Sequence, residues 1–244
     1  MGLRKLKSIK HNGQRLAEIL EAHERFWAGK QGGARADLTG ADLSRADLSG
    51  TNLAGAILRN ANLEGSDLRG ARLPGADFSG ARLRGADLRN TDMTEAVLPG
   101  ADLTGARASG IEFFRCDLTN ANLEGSDLRG ARLPGADFSG ARLRGADLRN
   151  SDMTEAVLPG ADLTEAQASG IEFFRCDLTN VNFQGSLLRN TNFRNAQVDG
   201  AKFSGADMGI AILRETDISK ADLSGVDLST ALMPPGYAAK KQGA

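Results

Sequence analysis

The chain has 244 residues, including 30 glycines, and its 30 lysines and arginines nearly balance its 31 aspartates and glutamates. Only two histidines are present, both upstream of residue 36, which argues against a histidine-based catalytic or metal site. Apolar runs are short, and no apolar segment follows the basic N-terminal residues. We therefore expect a cytoplasmic protein without a membrane span or a signal peptide.

Residues 1–35 are predicted to form a basic tail followed by a capping helix. Six side chains lie at helical spacing within residues 14–27: Leu16, Ile19, Leu20, His23, Phe26 and Trp27. Gly29 is a suitable stop for this helix. The basic residues of the tail are Arg4, Lys5, Lys7 and Lys10. They could touch nucleic acid or a membrane surface, but we expect a solvated, flexible arm that binds neither.

A five-residue repeat occupies most of the chain. From Leu38 to Met233 every fifth residue is apolar, giving 40 consecutive pentapeptides between Ala36 and Pro235. The residue two places before this central position is usually alanine, and the residue two places after it is Gly in 22 repeats and Asn in seven. A period of five fits neither an α-helix nor a strand, so the chain must turn after every pentapeptide. Gly and Asn tolerate the positive φ that such turns require.

Four turns close a square coil of 20 residues, with the central and small side chains inside and the others outside. The predicted fold is all-β: a right-handed quadrilateral parallel β-helix of about ten coils, roughly 48 Å long, with a short N-terminal capping α-helix. The segments ADLTG, ADLSR, ADLSG and ANLEG match the pattern A(D/N)LXX. Across residues 36–235 the chain thus resembles the pentapeptide repeat family.

Residues 61–120 and 121–180 are a near-exact duplication, identical at 57 of 60 positions. The differences are Thr91/Ser151, Gly105/Glu165 and Arg107/Gln167. Sixty residues make three whole coils, so an insertion of this length keeps each side chain on its face. A recent natural duplication and an engineered one both account for the identity.

The C-terminal end of the repeats carries an unusual apolar surface. Pro234, Pro235 and Gly236 end the coils, and residues 236–244 form a predicted tail. Three apolar residues nearby occupy outward positions that are usually polar: Ile210, Ile212 and Leu232. Either the segment containing Tyr237 covers them, or they form a homodimer contact, which the resemblance to dimeric family members supports.

The repeats contain no combination of residues typical of an enzyme. They have no histidine and no glycine-rich loop that leads from a strand into a helix. Cys116 and Cys176 lie at small inward positions three coils apart, too far for a disulfide, and we interpret them as buried core thiols. We predict a non-enzymatic protein with no cofactor and no metal.

Outward charges distinguish the four faces of the predicted coil. We name each face after its first central residue: the Leu38, Leu43, Leu48 and Leu53 faces, each continuing at every twentieth residue. The Leu38 face carries seven carboxylates, Asp37, Asp77, Asp117, Asp137, Asp177, Asp199 and Asp217. It has only two cations, Arg59 and Lys220, so its net charge is −5, whereas each other face sums to −1. On the Leu48 face, aspartates and arginines alternate in ladders, and their opposite charges cancel.

Two functions are compatible with this pattern. The first is a rigid scaffold that binds an unidentified protein, with Phe114 and Phe174 beside Arg115 and Arg175 on the Leu53 face as a further recognition signal. The alternative comes from the resemblance, because the family includes quinolone-resistance proteins thought to protect DNA gyrase by imitating duplex DNA. Ile57, Val97, Val157 and Gln197 interrupt the aspartate column, and aspartates can also act simply as turn residues.

Overall fold

The computed structural model describes residues 2–237, and the chain begins with a small N-terminal unit. A 3₁₀ turn, Leu6–Ser8, precedes strands β1 (Lys10–His11) and β2 (Gln14–Arg15), and helix α1 spans Leu16–Trp27. The two strands pair antiparallel. Asn12 and Gly13 between them both have positive φ, which is the geometry of a tight two-residue hairpin turn.

Helix α1 begins where the hairpin ends. The Arg15 N–H donates to Glu18 Oε2 at 3.2 Å, and Gly29, with φ of +62°, follows the last turn. The predicted helix over 14–27 is therefore two residues too long at its start, because residues 14 and 15 belong to β2. The buried face comprises Leu16, Ile19, Leu20 and His23. Phe26 and Trp27, predicted to belong to this face, are largely exposed.

The basic arm is not a free tail, and the prediction of a flexible arm is wrong. Arg4 extends the edge of the first coil: its N–H donates to the Arg45 carbonyl at 2.7 Å, and its carbonyl accepts from the Asp47 N–H at 3.0 Å. The Arg4 guanidinium also contacts Asp42 at 2.9 Å. The arm is ordered because it satisfies backbone groups that the first coil would otherwise leave unpaired.

From residue 36 onward the chain stacks on itself with a spacing of 20 residues. Parallel bridges join Asp37 to Ile57, Ile57 to Asp77, and so on along all four faces. Two faces keep this pairing into the last coil, through Lys202–Asp222 and Ile212–Leu232, while the other two end at Gln197 and Asp207. The Leu38 N–H donates to the Ile57 carbonyl at 2.7 Å, and the Ala41 N–H closes a turn onto the Leu38 carbonyl at 3.0 Å. Each pentapeptide thus supplies one short extended segment and one turn, and four of them return the chain to the same face.

The central and small side chains fill the interior, as the sequence predicts. Central residues from Leu38 to Leu213 are at most 1% exposed. Towards the C-terminus the core becomes aromatic: the Phe183 and Phe203 rings stack with centroids 5.0 Å apart, and Phe173 and Phe193 stack at 5.5 Å. This interior holds the coils in register, so the faces outside are rigid arrays of side chains.

Every turn position from Gly40 to Glu215 adopts positive φ, whereas Lys220 and Thr230 in the last coil do not. Glycine or asparagine occupies most of them, in accord with the prediction from composition. Ile210 is a β-branched residue in this conformation, with φ of 54°, at a turn where most coils have glycine or asparagine. A β-branched side chain is rare at positive φ because Cβ crowds the backbone.

Candidate interaction faces

Residues 2–237 contain neither a metal-binding cluster of side chains nor a membrane-spanning helix. Within residues 2–237 no three His, Cys, Asp or Glu side chains cluster as a metal site would require. No helix in that range combines the length and the apolar character needed to span a bilayer. The two cysteines are buried and their thiols lie 2.8 Å from carbonyl oxygens of Met93 and Met153. Burial raises the pKa of each thiol to about 12, so neither is a reactive thiolate.

The Leu38 face forms a column of aspartates whose central members make no ion pair within residues 2–237. Arg59 binds Asp77 at 2.5 Å and Lys220 binds Asp199 at 2.5 Å, so its two cations pair near the two ends. Between them lie Asp117, Asp137 and Asp177, for which the described part of the chain supplies no ion pair. Asp117 and Asp137 are bridge partners on adjacent coils. The three carboxylates are half-buried. Like charges at about 4.8 Å repel by roughly 1 kcal/mol in water, and within residues 2–237 no cation pairs with these three to offset that repulsion.

These aspartates also hold the turns that follow them. The amides of Thr119, Ser139 and Thr179 donate to the carboxylates two residues earlier at 3.0, 2.8 and 3.0 Å. At the start of the column the Thr39 hydroxyl and amide donate to Asp37 and lower the pKa of that carboxyl. Asp217 makes the same turn bond with Ser219. Turn chemistry explains why aspartate occurs here, but it does not neutralise the column.

The Leu48 face shows the opposite arrangement. The Arg129 guanidinium donates two hydrogen bonds to the Asp127 carboxylate, both of 2.8 Å. Arg149 donates to Asp147 in the same way, at 2.8 and 2.6 Å. Arg69 likewise holds Asp67, and its hydrogen bond lowers the pKa of that carboxyl. The planar guanidinium group of arginine matches a carboxylate, and the charges cancel within the four pentapeptides that hold such a pair, 66–70, 86–90, 126–130 and 146–150. The predicted ladders are present, and they make the Leu48 face a natural control for the Leu38 face.

Each outward phenylalanine on the Leu53 face contacts the arginine that follows it in sequence. Phe114 is 40% exposed, and the Arg115 guanidinium carbon lies 4.9 Å from its ring centroid. Phe174 is half-buried, and Arg175 takes the same place at 4.9 Å. The duplication therefore presents two identical cation–π pairs three coils apart. Neither ring belongs to the core, and both remain candidate recognition residues.

The apolar patch near the C-terminus stays open to solvent. Ile210 is 48% and Leu232 is 43% exposed, and Ile212 bridges to Leu232 on the next coil. Tyr237 instead lines a groove with residues 215–219, Ala221 and Leu223. Residues 238–244, the rest of the predicted tail, lie outside the described part of the chain.

Comparison with known proteins agrees with this architecture. The family described as Pentapeptide repeats matches eight copies, within residues 36–75, 71–110, 111–150, 141–180 and 171–209. HetL, a pentapeptide repeat protein involved in heterocyst differentiation regulation in the cyanobacterium Nostoc sp. strain PCC 7120, is 28% identical with a TM-score of 0.59, over 87% of this chain and 95% of HetL.

A second solved structure shares the fold alone. QnrB1, a plasmid-mediated fluoroquinolone resistance protein, is 22% identical with a TM-score of 0.59, over 86% of this chain and 96% of its own. The search of curated proteins found no match. The family match covers more than half of the sequence and coincides with the coil stack. The chain belongs to the pentapeptide repeat family.

Proposed function

We propose that the protein is a rigid, non-enzymatic scaffold that binds a basic protein partner through the Leu38 face. The observation that carries this proposal is the unpaired centre of that face, Asp117, Asp137 and Asp177, set against the neutralised aspartates of the Leu48 face. A stack that cannot easily bend holds these charges at fixed spacing, which favours a partner with matching cations. The proposed location is the cytoplasm.

The proposal includes the geometry of the whole stack. We infer about ten right-handed coils over residues 36–235, with residues 1–35 as the cap and residues 236–244 as the tail. Bridges repeating every 20 residues and the continuous buried core support one uninterrupted unit. Right-handedness follows the general preference of parallel strand crossovers.

Affinity capture at two salt concentrations tests the scaffold. Immobilised full-length protein should retain a specific partner at low salt and release most of it at about 0.5 M salt, because charge pairs at an exposed face are screened. Retention that is insensitive to salt, or no specific partner at low salt from the source organism's own proteins, would contradict a role for the acidic face.

The alternative proposal is an acidic mimic of DNA that acts on gyrase. The aspartate column favours it, while exposed Val97 and Val157 break the column at two coils. The test is a DNA supercoiling assay with purified gyrase, with and without a quinolone. Inhibition of gyrase, or protection of gyrase from the drug, at micromolar protein would support the DNA-mimic proposal. No effect on gyrase at that concentration would exclude it.

We also propose that the C-terminal apolar patch of Ile210, Ile212 and Leu232 joins two copies of the chain. The strained conformation of Ile210 supports this. An isoleucine at positive φ lowers the stability of the monomer, and a contact that buries its exposed side chain against a second copy would offset that loss. A two-fold contact would bring the same patch from each copy together.

Ile210→Gly should stabilise each subunit while weakening the dimer. Glycine adopts positive φ without strain, so we expect the free energy of unfolding to rise by about 1 kcal/mol. Sedimentation equilibrium should show a dissociation constant at least tenfold weaker than that of the unaltered protein. Leu3→Ala, a change at an exposed leucine at the other end of the stack, is the control and should leave both quantities unchanged. A variant dimer as tight as the unaltered one would rule out this interface.

A further inference from the structure

His23 joins the N-terminal cap to the coil stack through one specific bond. The imidazole lies in the second half of α1 and is fully buried. Its Nδ1 accepts a hydrogen bond of 3.0 Å from the backbone N–H of Ala36, where the stack begins. An accepting Nδ1 must carry no proton, so the ring is neutral with its hydrogen on Nε2.

The surroundings of His23 disfavour a second proton. Within residues 2–237 no acceptor lies within full hydrogen-bond distance of Nε2. Burial, with a smaller contribution from Arg35, lowers the pKa of His23 below 6.5. Glu24 on the same helix and the Ala54 carbonyl of the first coil act in the opposite direction but do not reverse the shift. Glu24 belongs to α1, Arg35 to the connecting segment and Ala54 to the first coil, so every element around the ring contributes.

We propose that His23 is an acid-sensitive latch that holds α1 on the first coil at neutral pH and releases it on acidification. Protonation of Nδ1 would turn an acceptor into a donor that points at another donor, the Ala36 N–H. The bond would be lost, and a positive charge would lie in a buried site. Once α1 leaves the coil, the ring becomes hydrated and takes up the proton freely.

The direction of the pH effect follows from linkage. The undocked state binds a proton below about pH 6.5, whereas the docked state resists it to lower pH. Docking is therefore fully stable above pH 6.5 and weakens as the pH falls towards the lowered pKa of the docked form. Release would expose the apolar underside of the cap, formed by Ile9, Leu16, Ile19 and Leu20, together with the end of the stack.

Trp27 provides a specific reporter because it is the only tryptophan in the chain. Its indole N–H donates to the Ala54 carbonyl at 2.8 Å, and its ring packs edge-on against His23 with centroids 6.4 Å apart. The single indole resonance in a nitrogen–proton correlation spectrum of the full-length protein should move to an undocked position between pH 7.5 and 4.5. Coil amides should stay in place, and the His23 ring should titrate below pH 6.5 with the same midpoint as the indole.

Two substitutions separate the latch from a general acid effect. In His23→Asn the side-chain carbonyl can stand where Nδ1 accepts but cannot titrate, so the indole transition should disappear. His11→Asn removes the other histidine and should leave the transition unchanged. The proposal fails if His23→Asn keeps the transition at the same midpoint, or if the unaltered protein shows none down to pH 4.5. Should His23→Asn be undocked at every pH, the titration of His23 in the unaltered protein decides: a midpoint at or above 6.5 overturns the latch.

Discussion

Phe183→Ala is expected to lower the free energy of unfolding by about 3–5 kcal/mol, as deletion of a fully buried aromatic ring usually does. Phe183 has no exposed surface, and its ring lies 5.0 Å from Phe203, 5.6 Å from Phe173 and 6.1 Å from Phe193, centroid to centroid. The coils above and below cannot collapse into the cavity without breaking their ladder bonds. Urea unfolding followed by circular dichroism measures the loss.

Phe114→Ala is the matched control. The same side chain is removed from the outside of the stack, where the ring is 40% exposed and contacts Arg115. We expect a loss below about 1 kcal/mol, the value of one exposed cation–π pair. Equal losses for the two variants would mean that Phe183 is not in a packed core, and the arrangement of inward and outward positions would be wrong.

Deleting residues 121–180 should leave a folded protein that melts cooperatively. Every junction in the product already exists: Asn120 would precede Val181 as Asn180 does now, within the same pentapeptide sequence. The coil of residues 101–120 would stack on residues 181–200 as residues 161–180 do, apart from Gly105/Glu165 and Arg107/Gln167. Loss of 60 of 244 residues should reduce the urea m-value by about a quarter, because m scales with the surface exposed on unfolding.

Deletion of Asn122 alone is the sharper control. One missing residue shortens one side of one coil, so the bridges from Asn122 to Asp102 and Arg142 are lost and the adjacent turn is displaced. We expect this single deletion to lower the melting temperature more than removal of the whole 60-residue block. Aggregation or non-cooperative melting of the 60-residue deletion would show that the block is structurally required and the coils are not modular.

The repeat region could be predicted from sequence because its signal is local. An apolar residue every fifth position, with Gly or Asn at each turn, admits few chain paths, and the burial of Leu38, Ala41 and their equivalents follows directly. Asn12-Gly13 is a hairpin signal that the helical spacing of the following residues obscured.

The cap was harder to predict because it depends on contacts between distant segments. Nothing near Arg4 in sequence indicates that its backbone pairs with residues 45 and 47, since the acceptor is the open edge of a coil. In the same way, His23 could be placed on the apolar side of α1, but its bond to Ala36 requires the docked helix. On the Leu38 face the charge count was available, whereas the pairing of Arg59 with Asp77 across coils depends on side-chain conformation.

The acidic surface is tested most directly by comparing two pairs of substitutions in one binding measurement. Asn keeps the oxygen that accepts the turn bond and removes the charge, so Asp117→Asn with Asp137→Asn should leave stability unchanged or slightly improved. The matched pair, Asp67→Asn with Asp87→Asn, changes carboxylates that Arg69 and Arg89 already neutralise. Each pair removes two negative charges, so net charge is controlled.

The measurement is the dissociation constant of each variant for the captured basic partner, determined over a series of salt concentrations. We predict that the Leu38-face pair weakens binding at least tenfold at low salt and flattens its salt dependence, while the Leu48-face pair changes it less than threefold. Equal weakening by both pairs, or no weakening by either, would contradict the account and leave the aspartates of the Leu38 face as turn residues only.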